Sequence, residues 1–264
     1  MPIEITSLTL YPVKSCAGTP VSRFRCGASG PEWDRQWMVV GGDGKFVTQR
    51  EVARLALVTP HLDVGAGTLR LSARGHRGGV EISLHTAGAE IEVEIWGSIV
   101  KAFDEGAEAA RWLTDTLGMP LRLARISKEN RLREGEDPRT VSFADSYPLH
   151  LCAEESLADL NARIPARLEM NRFRPNLVVR GAPAWSEDRW TALRQGASCF
   201  RVGKRAERCV ITTIDQVNAS KGPEPLKTLA GFRRNARNKI EFGQYLHTCP
   251  GAELAVGMEL KPEP

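Results

Sequence analysis

What most constrains this chain is its punctuation. Through roughly the first 100 residues, short β-branched or alternating segments are separated by glycine-rich turns, a period-two pattern that builds strands and hairpins. Residues 37–40 and 45–48 flank Gly41-Gly42-Asp43-Gly44, whose glycines take the positive φ angles that a tight turn demands. That cluster lacks a terminal Lys-Ser/Thr pair and a following helix, so it reads as a turn and not as a phosphate loop. Residues 62–64 and 69–72 frame a second turn at Gly65-Ala66-Gly67, and 80–84 and 90–95 are further expected strands, a pattern that suits a small barrel. The first helical period falls at Ala107–Leu117, with Ala110, Leu113 and Leu117 on one face and Gly118 and Pro120 to end it. A domain boundary is expected just after it, dividing the chain into 1–120 and 121–264.

The second half opens with a polar, Arg-rich connection over 127–139, followed by an expected strand at 149–152 and a helix at 153–163 that Pro165 closes. Strands are expected at 177–180, 199–202, 210–214, 241–247 and 253–260, with a short helix at 226–233. The fold class is therefore mainly β with a few helices (α+β), in two domains. A chain of 264 residues, 42% hydrophobic and 26% charged, is long enough to bury a full core in each.

Charge and composition exclude several classes of function. A net charge of +4 is far from the dense cationic surface that binds a phosphate backbone, so no nucleic-acid partner is expected. No apolar run approaches the ~18 residues of a bilayer span, and Met1-Pro2-Ile3-Glu4 does not begin a targeting signal. A cytoplasmic location without membrane association is the expectation. The six cysteines (Cys16, Cys26, Cys152, Cys199, Cys209, Cys249) are read as reduced thiols, and none forms the C-x-x-C pair of a zinc or thioredoxin-type site. The five histidines (His61, His76, His85, His150, His247) contain no i, i+4 pair, which removes zinc hydrolases of the H-E-x-x-H kind.

One cysteine stands apart. In Lys204-Arg205-Ala206-Glu207-Arg208-Cys209-Val210-Ile211-Thr212-Thr213-Ile214-Asp215, Cys209 lies among cations at the head of an expected strand. Nearby positive charge favours a thiolate, the form that ligates metals and attacks electrophiles, whereas a small buried apolar residue is the plain alternative.

Several short motifs, in order, resemble the MOSC-domain molybdenum-cofactor proteins. They are Tyr11-Pro12-Val13-Lys14-Ser15, Asp34-Arg35-Gln36-Trp37, Phe173-Arg174-Pro175-Asn176, the R-C-x-x-T-T-x-D block from Arg208 to Asp215, Glu224-Pro225-Leu226-Lys227-Thr228-Leu229, and Phe242-Gly243-Gln244. The similarity spans nearly the whole chain, and its nearest forms are the mitochondrial amidoxime-reducing components and bacterial reductases of N-hydroxylated bases. It implies an N-terminal β-barrel-like domain followed by a MOSC β-barrel domain. It also implies a molybdenum–molybdopterin cofactor, with Cys209 as metal ligand and catalytic residue and Lys14, Ser15 and Arg35 at the phosphate end. Ser146, Arg174 and Arg208 then fall at positions expected to contact the pterin, with Asp145 and Asn176 as weaker candidates. Taken singly, Lys14 and Arg35 would also suit solvated strands, and Arg174 a surface ion pair.

The activity implied is two-electron reduction of a small N-oxygenated substrate. With no iron–sulfur or flavin segment in view, and little chain beyond the last expected strand, electrons are expected from a separate ferredoxin, cytochrome or flavin reductase. The alternative is a sulfur carrier or cofactor-handling protein in which Cys209 bears a persulfide. Asp215 enters as a catalytic candidate, either donating a proton or holding the turn after the strand. Glu207 departs from the family pattern, and beside an anionic cofactor it is expected to point outward or pair with Arg205 or Arg208. The stretch Arg233 to Lys239 is either a solvated loop or a docking site for an acidic electron carrier.

Overall fold

The computed structural model describes residues 2–86, 88–127, 131–133 and 137–264. Seven strands close into a ring in the order Leu177–Arg180, Leu149–Ala153, Ile240–Leu246, Ser198–Arg208, Ala192–Gln195, Glu259–Glu263 and Ile3–Leu10, the last returning to pair with the first. All neighbours are antiparallel except Leu149–Ala153 beside Leu177–Arg180, where Leu151 lies opposite Leu177. Closure leaves the barrel no open edge to pair with another chain. Its interior is packed by Ile3, Ile5, Leu149, Leu151, Leu177, Val179, Phe200 and Leu246, all 1% exposed or less. Each such side chain contributes roughly 1.5–3 kcal/mol of burial free energy.

Thr19–Val21 pairs on Ile3–Leu10, Arg23–Gly27 lies between Gly30–Pro31 and Glu253–Ala255, and further N-terminal strands form a four-stranded sheet (Trp37–Gly41, Leu121–Ile126, Ser98–Asp104, Glu90–Ile95) and a three-stranded one (Val58–Asp63, Thr68–Ala73, Gly79–Ser83). Trp37–Gly41 is buried on both faces: Trp37 and Val39 pack with Leu69, Leu71, Leu113 and Leu123, while Met38 and Val40 pack with Val93, Ile95 and Phe143. Helix Ala107–Leu117 closes the first of these cores with Ala109, Trp112, Leu113 and Leu117, and Gly118 caps it at φ 80° as the sequence predicts. Among the described residues no helix is long and apolar enough to cross a membrane.

Where the chain departs from the expectations, the causes are local. Residues 210–214 form a single 3₁₀ turn, Val210–Thr213, and not a strand, because the hydroxyls of Thr212 and Thr213 donate to the carbonyls of Cys209 and Val210 at 2.9 and 2.8 Å. Residues 45–48 are held by isolated bridges from Lys45 to Glu94 and Phe46 to Val40 and form no strand. The strand expected at 199–202 runs on through Ser198–Arg208, whereas 253–260 is split into Glu253–Ala255 and Glu259–Glu263 with Gly257 between them at φ 86°. The helices expected at 153–163 and 226–233 are shorter, Glu154–Asn161 and Leu226–Leu229. Of the Arg-rich connection over 127–139, residues 128–130 and 134–136 lie outside the described residues.

Candidate functional site

Strand Ser198–Arg208 pairs with Ile240–Leu246 through two register shifts, between Val202 and Lys204 and between Arg205 and Glu207. Such irregularities bend a strand and re-aim its side chains, and here Lys204, Glu207, Arg208 and Cys209 all line one cavity of about 410 Å³. The strand ends at Cys209 because the two threonines of the T-T pair lock the following turn, so the thiol stands half-buried at the cavity wall. On the partner strand, Gly243 sits at φ 79°, where a Cβ would lie 2.4 Å from the Leu151 carbonyl and 2.8 Å from His150 Nε2. Only glycine admits that approach, and it brings Phe242 to stack on Phe173 with ring centroids 3.8 Å apart.

Three other motifs meet at one buried carboxylate. Asp34 Oδ1 accepts from the Tyr11 backbone N–H at 2.8 Å and from Asn176 Nδ2 at 3.0 Å, and Oδ2 takes the Arg35 guanidinium. Asn176 Oδ1 in turn accepts from Arg35 Nη1 at 3.1 Å and from the His150 N–H at 3.3 Å. Tyr11, Asp34-Arg35 and Arg174-Asn176 are thus one network, and Arg35 and Arg174 both lie over the Tyr11 ring, at 4.4 and 4.3 Å. Burial pushes the Tyr11 hydroxyl up to about 12, so it stays protonated.

The cavity is cationic. Lys14 is buried and paired with Asp145, whose carboxyl burial alone would raise; Lys14, the Trp96 indole and Arg50 outweigh that and hold it well below the usual carboxylate range. Among the described residues, none of Arg50, Arg174, Lys204 and Arg208 has a carboxylate in salt-bridge reach, although all four line the cavity. Burial, helped by Arg35, depresses the Arg174 pKa. Burial, then Arg208, holds the His150 pKa well below 6.5; the neutral ring accepts from Arg208 Nη1 at 3.3 Å, which orients that guanidinium. Arg208 Nη2 donates to the Phe173 carbonyl at 2.8 Å, and its Nε is buried without a hydrogen-bond partner among the described residues. Half-buried cations without a salt-bridge partner among the described residues, together with an orphaned Arg208 donor, fit an anionic group rich in acceptors. Of the eight non-glycine residues at positive φ among the described residues, four, Ser15, Trp96, Arg35 and Arg174, also line this cavity, and strain of that kind gathers at functional sites.

Lys14, Ser15, Arg35, Ser146, Arg174, Arg208 and Cys209 are all brought together on this wall, with Asp145 and Asn176. Lys14 is not a solvated strand residue, and Arg174 does not pair with a surface carboxylate among the described residues. Asp215 is not in the cavity lining, and its carboxylate accepts from the Val217 and Asn218 N–H groups at 2.8 and 3.1 Å while pairing with Arg172 at 3.0 Å, which is the turn-holding one of its two expected roles. It holds the turn that follows the threonines. Glu207 pairs with the exposed Arg237 and not with Arg205 or Arg208. Within the Arg-rich stretch, Arg233 is bound to Asp188 and lies over Trp185 and Arg237 pairs with Glu207, while Arg234 and Lys239 are exposed. Sequence reasoning missed Arg50, which donates from Nη2 to Cys209 Sγ at 3.3 Å, and Trp96, over whose ring Arg50 lies at 5.0 Å. Neither belongs to a motif; the one signal was a tryptophan where the 90–95 hairpin has to turn.

Residues 3–120 match the family described as the MOSC N-terminal beta barrel domain, and residues 138–261 match the MOSC domain. The chain belongs to the MOSC family. It is 33% identical over 262 residues to mitochondrial amidoxime-reducing component 1 of Homo sapiens, covering 91% of this chain and 77% of that protein. Against component 2 of Rattus norvegicus the identity is 34% over 245 residues, covering 87% and 72%. The molybdenum cofactor sulfurase of Oryza sativa subsp. japonica is 31% identical over 295 residues, which is 98% of this chain but 35% of the sulfurase, so this MOSC chain spans about a third of that relative.

Proposed function

We propose that this chain holds a molybdenum–molybdopterin cofactor in the cationic cavity and reduces N-oxygenated compounds with electrons from a separate carrier. What carries the reading is the combination on one wall of a half-buried thiol with four cations that have no salt-bridge partner among the described residues. Lys14, Ser15 and Arg35 would take the anionic phosphate end, Ser146, Arg174 and Arg208 the hydrogen-bonding edges of the pterin, and Cys209 the metal. Among the described residues no three His, Cys, Asp or Glu side chains converge to hold a bare ion, so the metal would arrive with ligands of its own. When bound, the group would supply a two-electron redox centre for removing oxygen from nitrogen. Overall an N–O bond breaks, two electrons from the carrier and two protons are consumed, and an N–H group and water form.

The chain's own residues hold the charges. Arg50 donates to the sulfur, and Arg208 is fixed by His150 and the Phe173 carbonyl. Asp145, held as the carboxylate, and His150, held neutral, are poor acids. Six free cysteines suit a reducing compartment such as the cytoplasm.

The test is reduction of an N-hydroxylated base by purified protein loaded with cofactor, supplied in turn with a ferredoxin, a cytochrome and a flavin reductase. Turnover with one donor and its loss in Cys209→Ser are expected; no turnover from fully loaded protein with every donor contradicts the reading. The similarity to cofactor sulfurases favours a second reading, a sulfur carrier with a Cys209 persulfide. It predicts persulfide labelling that disappears in Cys209→Ser and no stoichiometric molybdenum.

A further inference from the structure

The hairpin between Glu90–Ile95 and Ser98–Asp104 pairs Ile95 with Ser98, so its loop is only Trp96-Gly97. Both loop residues are left-handed, at φ 52° and 76°. Two-residue turns of this hand ask for asparagine, aspartate or glycine at the first position, where a bulky side chain is strained. Nothing in the turn itself wants a tryptophan there. Its side chain is nonetheless fixed: the indole Nε1 donates to Asp145 Oδ1 at 3.0 Å, Arg50 lies over the ring at 5.0 Å, and Phe46 meets it at 4.8 Å with the rings tilted by 55°. Even so, 45% of Trp96 is open to solvent.

Its position gives the exposure meaning. Trp96 lines the same cavity as Cys209, and Arg50 bridges the two, with its guanidinium over the indole and Nη2 on Cys209 Sγ at 3.3 Å. The indole therefore stands one guanidinium away from the sulfur and faces solvent, as a rigid aromatic surface at the mouth of the cavity. We propose that Trp96 is the specificity-determining residue of this site: substrates with a flat π-surface stack on the solvent-exposed part of its indole, which holds their N–O group in the cavity that Cys209 lines. This rests on the reductase reading above and adds a ranking of substrates by shape. Stacking rewards a planar conjugated group and gives nothing to an aliphatic one of the same polarity.

The experiment compares KM for an aromatic and an aliphatic N-hydroxyamidine in the loaded wild type, Trp96→Asn and Trp96→Phe. Asparagine tolerates the left-handed turn, so the backbone is kept. The ratio of aromatic to aliphatic KM should rise roughly five-fold in Trp96→Asn and return to within about two-fold of wild type in Trp96→Phe, which restores a ring. An unchanged ratio overturns the platform and leaves the reductase intact. Independently of turnover, the ¹⁵N-labelled indole signal missing from Trp96→Phe should move when the aromatic compound is titrated into the wild type and stay put with the aliphatic one. If the signal moves but no N-hydroxy compound is ever reduced, the platform stands and the reductase reading falls. If it moves with neither compound, the platform falls.

Discussion

At Asn176, a side chain only 1% exposed, one carboxamide meets Asp34, Arg35, the Thr9 carbonyl and the His150 N–H. Asn176→Ala removes these four bonds at a buried site, and a loss of about 2–4 kcal/mol in urea denaturation is expected; a loss within error of zero would mean that Asp34 holds the network alone. His150 gives a pH signature. Its folded pKa lies well below 6.5, so as pH falls the unfolded chain takes up a proton that the folded chain refuses. The stability it contributes is complete above about 6.5 and is lost downward toward the folded value, by up to about 2 kcal/mol between pH 6.5 and 5. Burial raises the carboxyls of Asp34, Glu105 and Glu187, which act with the opposite sign but are common to both proteins in a comparison with His150→Gln. Thermal melts should show the wild type losing more stability than His150→Gln over that interval; parallel losses contradict a neutral buried His150. The motifs holding Lys14, Arg35 and Cys209 led to residues that the fold brings to one cavity. Asp215 was left between two roles because a turn-holding carboxylate and a catalytic one look alike in sequence.

Among the elements, the bulged strand Ser198–Arg208 and the turn Val210–Thr213 do the presenting, with Gly243 as the point where the neighbouring strand approaches most closely. Gly243→Ala combines a left-handed backbone with a Cβ 2.4 Å from the Leu151 carbonyl. It should cost about 3 kcal/mol or more and lower cofactor retention, measured as melting temperature and pterin content; a variant that melts with wild type would show that the strands part freely. Helix Ala107–Leu117 was readable because periodicity, Gly118 and Pro120 agree. The turn after Cys209 was not, because Val210, Ile211, Thr212 and Thr213 have strand-forming side chains and only the hydroxyl bonds back to the chain make them turn.

Over the whole molecule, strand Ile3–Leu10 completes the barrel between Leu177–Arg180 and Glu259–Glu263, and Leu121–Ile126 lies in the N-terminal sheet beside Trp37–Gly41. Residues 121–264 expressed alone therefore lack the closing strand. They should give no cooperative melt or dispersed amide spectrum unless residues 1–21 are added; a folded fragment would contradict the role of the closed ring. Arg50 and Trp96 reach Cys209 only through this tertiary closure, some 159 positions separating Arg50 from the thiol, which is why no local pattern announced them. The most direct test of the account is molybdenum analysis with oxidised-pterin fluorescence on protein purified from a host that makes the cofactor, wild type beside Cys209→Ala. Near-stoichiometric molybdenum and pterin in the wild type, with the metal lost and some pterin kept in Cys209→Ala, is the predicted result; neither group in the wild type, despite a competent supply, would contradict it.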